Sequence, residues 1–171
     1  EFLNGQGSQP TTGIGQMRMV DGVMYMDFSG MTVFGVDVDF RDAEIGSTIT
    51  TTKFADRIEA SAGNDIINSG LGDDNVDGNA GNDVITDTGG TNVIRGGLGL
   101  DTVNIAGSGA DFVVVGHEGP TNFDTINGFN IATDWIRLDL DDMGNDAVDG
   151  NGNLLTPDGN PLLETISGEI G

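Results

Sequence analysis

Residues 60–104 read ASAGNDIIN, SGLGDDNVD, GNAGNDVIT, DTGGTNVIR and GGLGLDTVN, which are consecutive units of nine residues. Each unit has glycine at its fourth position, aspartate or asparagine at its sixth and an aliphatic residue at its eighth. The apolar column continues beyond these units, from Phe40 to Phe112. Columns in constant register indicate one short structural unit repeated along the chain.

The repeat predicts a flattened coil of short strands. The first six residues of a unit favour turns, and the last three can form only a brief strand, with Val103 inward and Thr102 and Asn104 outward in GGLGLDTVN. Two units, eighteen residues, complete one circuit, so each residue lies above the residue eighteen positions later. We therefore expect an all-β fold, a parallel β-roll with strand caps at both ends.

Composition limits the possible partners. The chain has 171 residues and a formal net charge of -22, and it contains no cysteine. Such an acidic surface repels nucleic acid and anionic lipid and attracts cations. No apolar run is long enough to cross a membrane. The chain begins at Glu1 rather than at methionine, which predicts that it is cut from something longer.

The pattern divides the chain into five segments. We predict a linker or frayed end over 1–16, amino-terminal strands and a cap over 17–59, metal-binding repeats over 60–104, closing strands over 105–140 and an acidic, turn-rich segment over 141–171. In the last segment, Asp149-Gly150 and Asp158-Gly159 predict hairpin turns. The apolar column extends past the aspartate column at both ends, so the outer units are expected to be metal-free caps.

The aspartate column predicts metal sites between circuits. Asp65 should stack on Asp83, Asp83 on Asp101, and Asp74 on Asn92, while the tight turns direct carbonyl oxygens into the same gaps. Calcium suits such an oxygen cage better than magnesium or zinc does. The alternative is that these side chains only cap turns. The predicted ligands are Gly63, Asp65, Gly70, Gly72, Asp74, Gly78, Gly81, Asp83, Gly90, Asn92, Gly96, Gly97, Gly99 and Asp101.

Departures from the pattern predict differences between the sites. Asn92 removes one charge, so the site it shares with Asp74 should bind calcium more weakly. Lys53 and Phe54 stand where a turn needs small residues, which argues against a site at Asp56.

GGLGLDTVN matches the glycine-rich nonapeptide G-G-x-G-x-D-x-U-x, so the chain resembles the RTX proteins, the haemolysin-type calcium-binding repeat family. The resemblance implies a right-handed β-solenoid holding about three or four calcium ions. It also implies a calcium role for Asp134 and Asp124 in the closing strands. RTX modules are typically the carboxyl-terminal part of larger proteins that leave the cell through type I secretion machinery and fold outside it. The resemblance therefore implies a secreted, extracellular or cell-surface protein.

The leading hypothesis is a non-catalytic calcium-binding module, because no nucleophile or carboxylate constellation predicts an enzyme. The second hypothesis is a carbohydrate-binding accessory module of a polysaccharide-modifying enzyme or adhesin, with a polysaccharide partner. Trp135 lies in a strand pattern that favours core or cap packing over a sugar platform. The methionines at 17, 19, 24, 26 and 31 predict filling of a core cap. His117 is predicted to lie in an exposed loop and to have no catalytic role.

Overall fold

The computed structural model describes residues 16–116 and 124–138, which form strands and contain no helix. In these ranges no helix is long and apolar enough to cross a membrane. The strands are β1 Gln16–Val20, β2 Val23–Asp27, β3 Asp37–Asp39, β4 Ser47–Thr50, β5 Arg57–Glu59, β6 Ile66–Leu71, β7 Asn75–Asp77, β8 Val84–Gly89, β9 Val93–Arg95, β10 Thr102–Asn104, β11 Phe112–Val115, β12 Thr125–Asn127 and β13 Trp135–Leu138. The predicted hairpins near 149 and 158 and the loop histidine His117 lie outside the described residues.

From β2 onwards, successive strands alternate between two sheets. Sheet A has the order β1-β2-β4-β6-β8-β10-β12, and sheet B has the order β3-β5-β7-β9-β11-β13. Except for the antiparallel pair β1 and β2, neighbouring strands are parallel. Ile67 pairs with Ile85 in sheet A and Val76 pairs with Ile94 in sheet B, both at eighteen residues. The predicted all-β, parallel β-roll with two units per circuit is confirmed.

The core takes one inward apolar residue from each of the ten strands β2 to β11, drawn from both sheets. In β6, Ile67 is 1% exposed whereas its neighbour Ile66 is 57% exposed. This contrast follows from the alternation of side chains across a strand. The same inward position is held by Met26, Val38, Ile49, Ile58, Ile67, Val76, Ile85, Ile94, Val103 and Val113. Hydrophobic burial therefore holds the two sheets together along the whole stack.

The apolar register slips at both ends of the repeats, which corrects the predicted column. Val38, not Phe40, pairs with Ile58, and Val113, not Phe112, pairs with Ile94. The turns that precede and follow the regular units have different lengths, so counting nine residues places the wrong side chain inward. Phe112 is 37% exposed as a result.

The outer strands continue the roll. β12 pairs with β10 in sheet A and β13 pairs with β11 in sheet B, so these strands add one rung to each sheet. Trp135 at the start of β13 is 62% exposed, so the prediction of core packing is wrong for this residue. Its neighbour Ile136 is 53% exposed, so β13 is open to solvent on both of its faces.

At the amino-terminal end, β1 and β2 form a hairpin around Asp21 and Gly22, which both have positive φ. Such angles at both central residues match the turn that suits the twist of a two-residue hairpin. Met26 in β2 is buried, as expected for a core cap. Met17 and Met19 in β1 are more than half exposed, so the core-filling prediction is wrong for them.

Candidate metal centre

The aspartates of the repeat form two columns, one at each edge of the roll, where the chain crosses between the sheets. Each column is a chain of hydrogen bonds in which a backbone N–H donates to the Oδ1 of the equivalent side chain one circuit later. At the first edge, Asp65 N–H donates to Asp83 and Asp83 N–H donates to Asp101, both at 2.8 Å. At the second edge, Asp74 N–H donates to Asn92 at 2.8 Å. These residues therefore stack one circuit apart, as the sequence predicted.

Both columns run beyond the regular repeats. Asp101 N–H donates to Asp124 at 3.1 Å, which extends the first column. Asn92 N–H donates to Asp111 at 2.9 Å, and Asp111 N–H donates to Asp134 at 3.2 Å, which extends the second. One oxygen of each aspartate therefore caps backbone, as the turn-capping alternative expected. The second oxygen decides whether the side chain can do more.

In some loops the second oxygen is fully occupied by protein donors. Asp65 Oδ2 accepts the backbone N–H of Ser61 at 3.0 Å and the hydroxyl of Ser61 at 2.9 Å. Asp56 Oδ2 accepts the same two groups from Thr52, at 2.8 and 3.0 Å. A hydroxyl residue at the second position of the unit thus closes the loop onto its own aspartate. We call 52–56 and 61–65 the hydroxyl-closed loops.

Asp134 also has both oxygens engaged. Its Oδ2 accepts the backbone N–H of Asn130 at 2.7 Å, and its Oδ1 accepts from Asp111 N–H and the Thr133 hydroxyl. Burial would raise the pKa of Asp134, but these hydrogen bonds outweigh it and lower the pKa below its usual value. The Asp134 carboxylate is therefore less available to a metal ion than its place in the column suggested.

In the central loops the second oxygen has no partner. Among the described residues, the buried side-chain atoms without a hydrogen bond are all carboxylate oxygens: Oδ2 of Asp74, Asp83, Asp87 and Asp101. Each of these residues is at most 2% exposed. An ionised carboxylate in this position is costly unless a cation or a proton neutralises it. We call 69–74, 78–83 and 96–101 the open loops.

Glycines occupy four of the six first and second positions of the open loops, and Asn79 takes the second position of the middle loop with φ of +69°. A side chain at Gly78 would run into the Asp83 carboxylate, and one at Gly96 would run into the Asp101 carboxylate. Gly70 and Gly97, at the second position, have φ of +89° and +110°. Serine and threonine take this position in the hydroxyl-closed loops, so the residue at position two separates the two kinds of loop.

The remaining predicted glycines do a different job. A Cβ at the fourth position would run into the backbone of the turn one circuit earlier, as Gly81 does against Gly63 and Gly99 against Gly81. These residues permit turns to stack at strand spacing. They are Gly63, Gly72, Gly81, Gly90 and Gly99.

The open carboxylates titrate abnormally. Burial raises the pKa of Asp83 to about 8, and the charges on Asp101 and Asp65 add to the effect. Burial likewise raises the pKa of Asp74 to about 7, with a contribution from Asp56 and Asp87. It also raises the pKa of Asp101 and of Asp124. Without a counter-ion, folding forces these groups towards their protonated form.

The donor set is suited to a cation that accepts backbone ligands. In the two described stretches, no three His, Cys, Asp or Glu side chains converge closely enough to hold a metal by themselves. A cation at an open loop must therefore take most of its ligands from carbonyl oxygens, with one or two carboxylates. Calcium accepts six to eight oxygens of this mixed kind, whereas zinc prefers nitrogen and sulfur.

Two acidic residues escaped the sequence prediction. Asp87 occupies the first position of DTGGTNVIR, where Gly78 and Gly96 stand in neighbouring units, and the glycine rule for that position marks it as an exception. Asp111 follows a turn one residue longer than the repeat, so counting in nines passes over it. Both are at least 96% buried, in line with the column aspartates.

Comparisons with known proteins agree with the geometry. Residues 48–76 and 70–103 match the family model described as the RTX calcium-binding nonapeptide repeat (4 copies). No curated protein matches the chain significantly. No solved structure does so either. RTX repeats bind calcium, and the matched residues contain every open loop described above. The chain therefore carries RTX calcium-binding repeats, folded as a parallel β-roll.

Proposed function

We propose that this chain is a non-catalytic calcium-dependent folding module, the carboxyl-terminal part of a larger protein exported through type I secretion machinery. In the low calcium of the cytosol the roll stays open, and outside the cell it closes around about three or four calcium ions. The observation that carries the proposal is the set of buried, unpartnered Oδ2 atoms at Asp74, Asp83 and Asp101. Family members are typically secreted, which supports the extracellular location.

The residues divide the work in a defined way. Asp74, Asp83 and Asp101 would hold calcium through Oδ2, and the turns containing Gly70, Gly78, Gly96 and Gly97 would supply carbonyl oxygens. Calcium supplies the positive charge that cancels carboxylate repulsion. Oδ1 of each aspartate meanwhile keeps its hydrogen bond to the neighbouring circuit, so the same side chain links the ion to the sheet ladder.

Mass action gives the size of the effect. Extracellular calcium modules bind with dissociation constants of about 0.1 to 1 mM. A tenfold excess of calcium over that constant adds about 1.4 kcal/mol per site. Several sites together contribute an amount comparable with the whole stability of a small domain. Calcium can therefore determine whether the roll folds.

The test is circular dichroism of the calcium-free protein titrated with calcium. We expect a largely unfolded spectrum that converts to β-sheet at millimolar calcium, with magnesium ineffective. Asp83→Asn should shift the midpoint to at least about tenfold higher calcium, because charge count tunes affinity at such sites. Asp42→Asn is the matched control, since Asp42 is exposed and lies outside the repeats. A β-sheet spectrum that a chelator leaves unchanged would falsify the proposal.

One observation favours a second function, the binding of a polysaccharide. Trp135 is exposed on the outer face of sheet B, and its register partner in β11 is Phe112, which is partly exposed. Val93 is the next register partner along the same face and is also partly exposed. A row of this kind can stack against the apolar faces of sugar rings.

The single tryptophan makes this second function measurable. Titration of the calcium-loaded protein with alginate and with neutral glucans should change the emission of Trp135 if the face binds sugar. Trp135→Phe, which keeps an apolar ring, should weaken binding measured by calorimetry. Unchanged emission and no heat with either polymer would eliminate this candidate and leave the folding module.

A further inference from the structure

The unit DTGGTNVIR departs from the repeat at two positions that lie in the same loop. Asn92 replaces aspartate at position six, and Asp87 replaces glycine at position one. Asp87 is 0% exposed, although its side chain is charged. The unit therefore still contains one buried carboxylate, at position one instead of position six.

Asn92 offers a cation no charge, and its one side-chain oxygen already accepts a hydrogen bond. Its Oδ1 accepts Asp74 N–H at 2.8 Å, and its Nδ2 donates to Asp111 Oδ1 at 2.9 Å. The amide oxygen thus continues the hydrogen-bond column at this edge. The amide N–H points at Asp111, and an N–H donor repels a cation. Any anionic ligand from this unit must come from Asp87.

Asp87 lies beside the open loop 69–74 of the previous circuit. Gly70 in β6 is its register partner in β8, and the Ser69 hydroxyl donates to Asp87 Oδ1 at 3.1 Å. Ser69 begins the loop that ends at Asp74, and the nearby Asp87 charge raises the pKa of Asp74. The two carboxyl groups are therefore neighbours around Ser69, and Oδ2 of each is buried without a partner.

We propose that Asp74 and Asp87 together hold one calcium ion between loops 69–74 and 87–92, with Asp87 taking the place of the missing sixth-position carboxylate. This inference rests on the proposed calcium function. It changes the expectation drawn from Asn92 alone, since the site has two carboxylates, as many as the site between Asp83 and Asp101. The carboxylate that position six lacks is thus supplied by position one of the same unit.

Calorimetric titration with calcium chloride, on the full chain, tests the assignment. Asp87→Asn should bind one calcium fewer, or bind one ion at least tenfold more weakly. Asp87→Asn combined with Asn92→Asp, which returns the carboxylate to position six, should regain it. Asp42→Asn, which removes an exposed carboxylate outside the repeats, should match the parent chain. An Asp87→Asn protein with the parent's stoichiometry and affinity would overturn the inference.

The double variant keeps the test decisive if Asp87→Asn does not fold. Its regaining a calcium-dependent β-sheet spectrum supports an exchangeable ligand charge, and its failing to do so assigns Asp87 a purely structural role and overturns the inference. The outcomes also separate the two proposals. A parent chain that binds no calcium removes both, whereas a parent that binds calcium with Asp87→Asn unchanged removes only the Asp74–Asp87 site.

Discussion

At the scale of the residue, the second position of a unit sets how many protein donors reach the aspartate four residues later. Serine or threonine there donates both a hydroxyl and an N–H to the carboxylate, as Ser61 does to Asp65. Glycine with positive φ there, as at Gly70, leaves Oδ2 without a donor. A carboxylate filled by protein donors and one left open have the same sequence context at position six, and they differ in chemistry because of one neighbour.

Removing the Ser61 hydroxyl should lower stability without changing calcium stoichiometry. Ser61→Ala deprives buried Asp65 of a donor that contacts both its oxygens, and a lost partner for a buried charged group costs about 1–3 kcal/mol. Chemical denaturation at saturating calcium measures the loss. Ser29→Ala is the control, because Ser29 makes a similar hydroxyl bond to Asp27 at an exposed site. A reduced ion count in Ser61→Ala would place a calcium at Asp65 and contradict this prediction.

Some features of the site were predictable from the sequence and others were not. The sixth-position aspartates and their stacking partners follow from the eighteen-residue circuit, which depends only on the repeat. Whether Oδ2 has a hydrogen-bond partner does not follow from the repeat, because it depends on the backbone and side chain at position two, as at Ser61 and Gly70. Asp87 was missed since a ligand search by column ignores a carboxylate that has moved five positions within its unit.

At the scale of the element, each strand of the regular repeats points one aliphatic side chain into the core. The burial contrast between Ile67 and Ile66 in β6 is the clearest case. The alternation was predictable wherever the nine-residue spacing is strict. It failed at Phe40 and Phe112 because the flanking turns have other lengths, which moves the inward position to Val38 and to Val113.

The two isoleucines of β6 make a matched pair of variants. Ile67→Ala should cost about 2–5 kcal/mol, because it leaves a cavity between the sheets. Ile66→Ala should change stability by no more than about 0.5 kcal/mol, as expected for an exposed side chain. Thermal or chemical denaturation of both proteins in saturating calcium measures the difference. Equal effects of the two substitutions would contradict the register of β6.

At the scale of the whole molecule, charge and fold oppose each other. The chain has a net charge of -22, and folding buries several of its carboxylates without a partner. The same groups have raised pKa values, to about 8 at Asp83 and about 7 at Asp74, with burial as the leading cause. Protons and calcium ions are therefore alternative ways of neutralising the interior.

The calcium-free protein should gain β-structure as the pH falls from 8 to 5. Since the folded pKa of Asp83 and Asp74 lies above the ordinary aspartate value of 3.8, the folded state retains protons that the unfolded state has released. Stability from these groups is thus present at low pH and is lost as pH rises towards 8. Circular dichroism of dialysed protein across this range measures the effect. At saturating calcium the dependence should flatten, and a calcium-free spectrum that is constant from pH 5 to 8 would refute the prediction.

The hydroxyl-closed loops give the coil a preferred starting point for assembly. Thr52 and Ser61 complete the turns of the first regular circuits with bonds that need no dissolved ion. Strands β4 and β6 can thus seed the stack, and their free ladder groups form a template for the strand that follows. Under the proposed calcium function each later rung would join as its ion binds, so we expect assembly of the roll to proceed from this end.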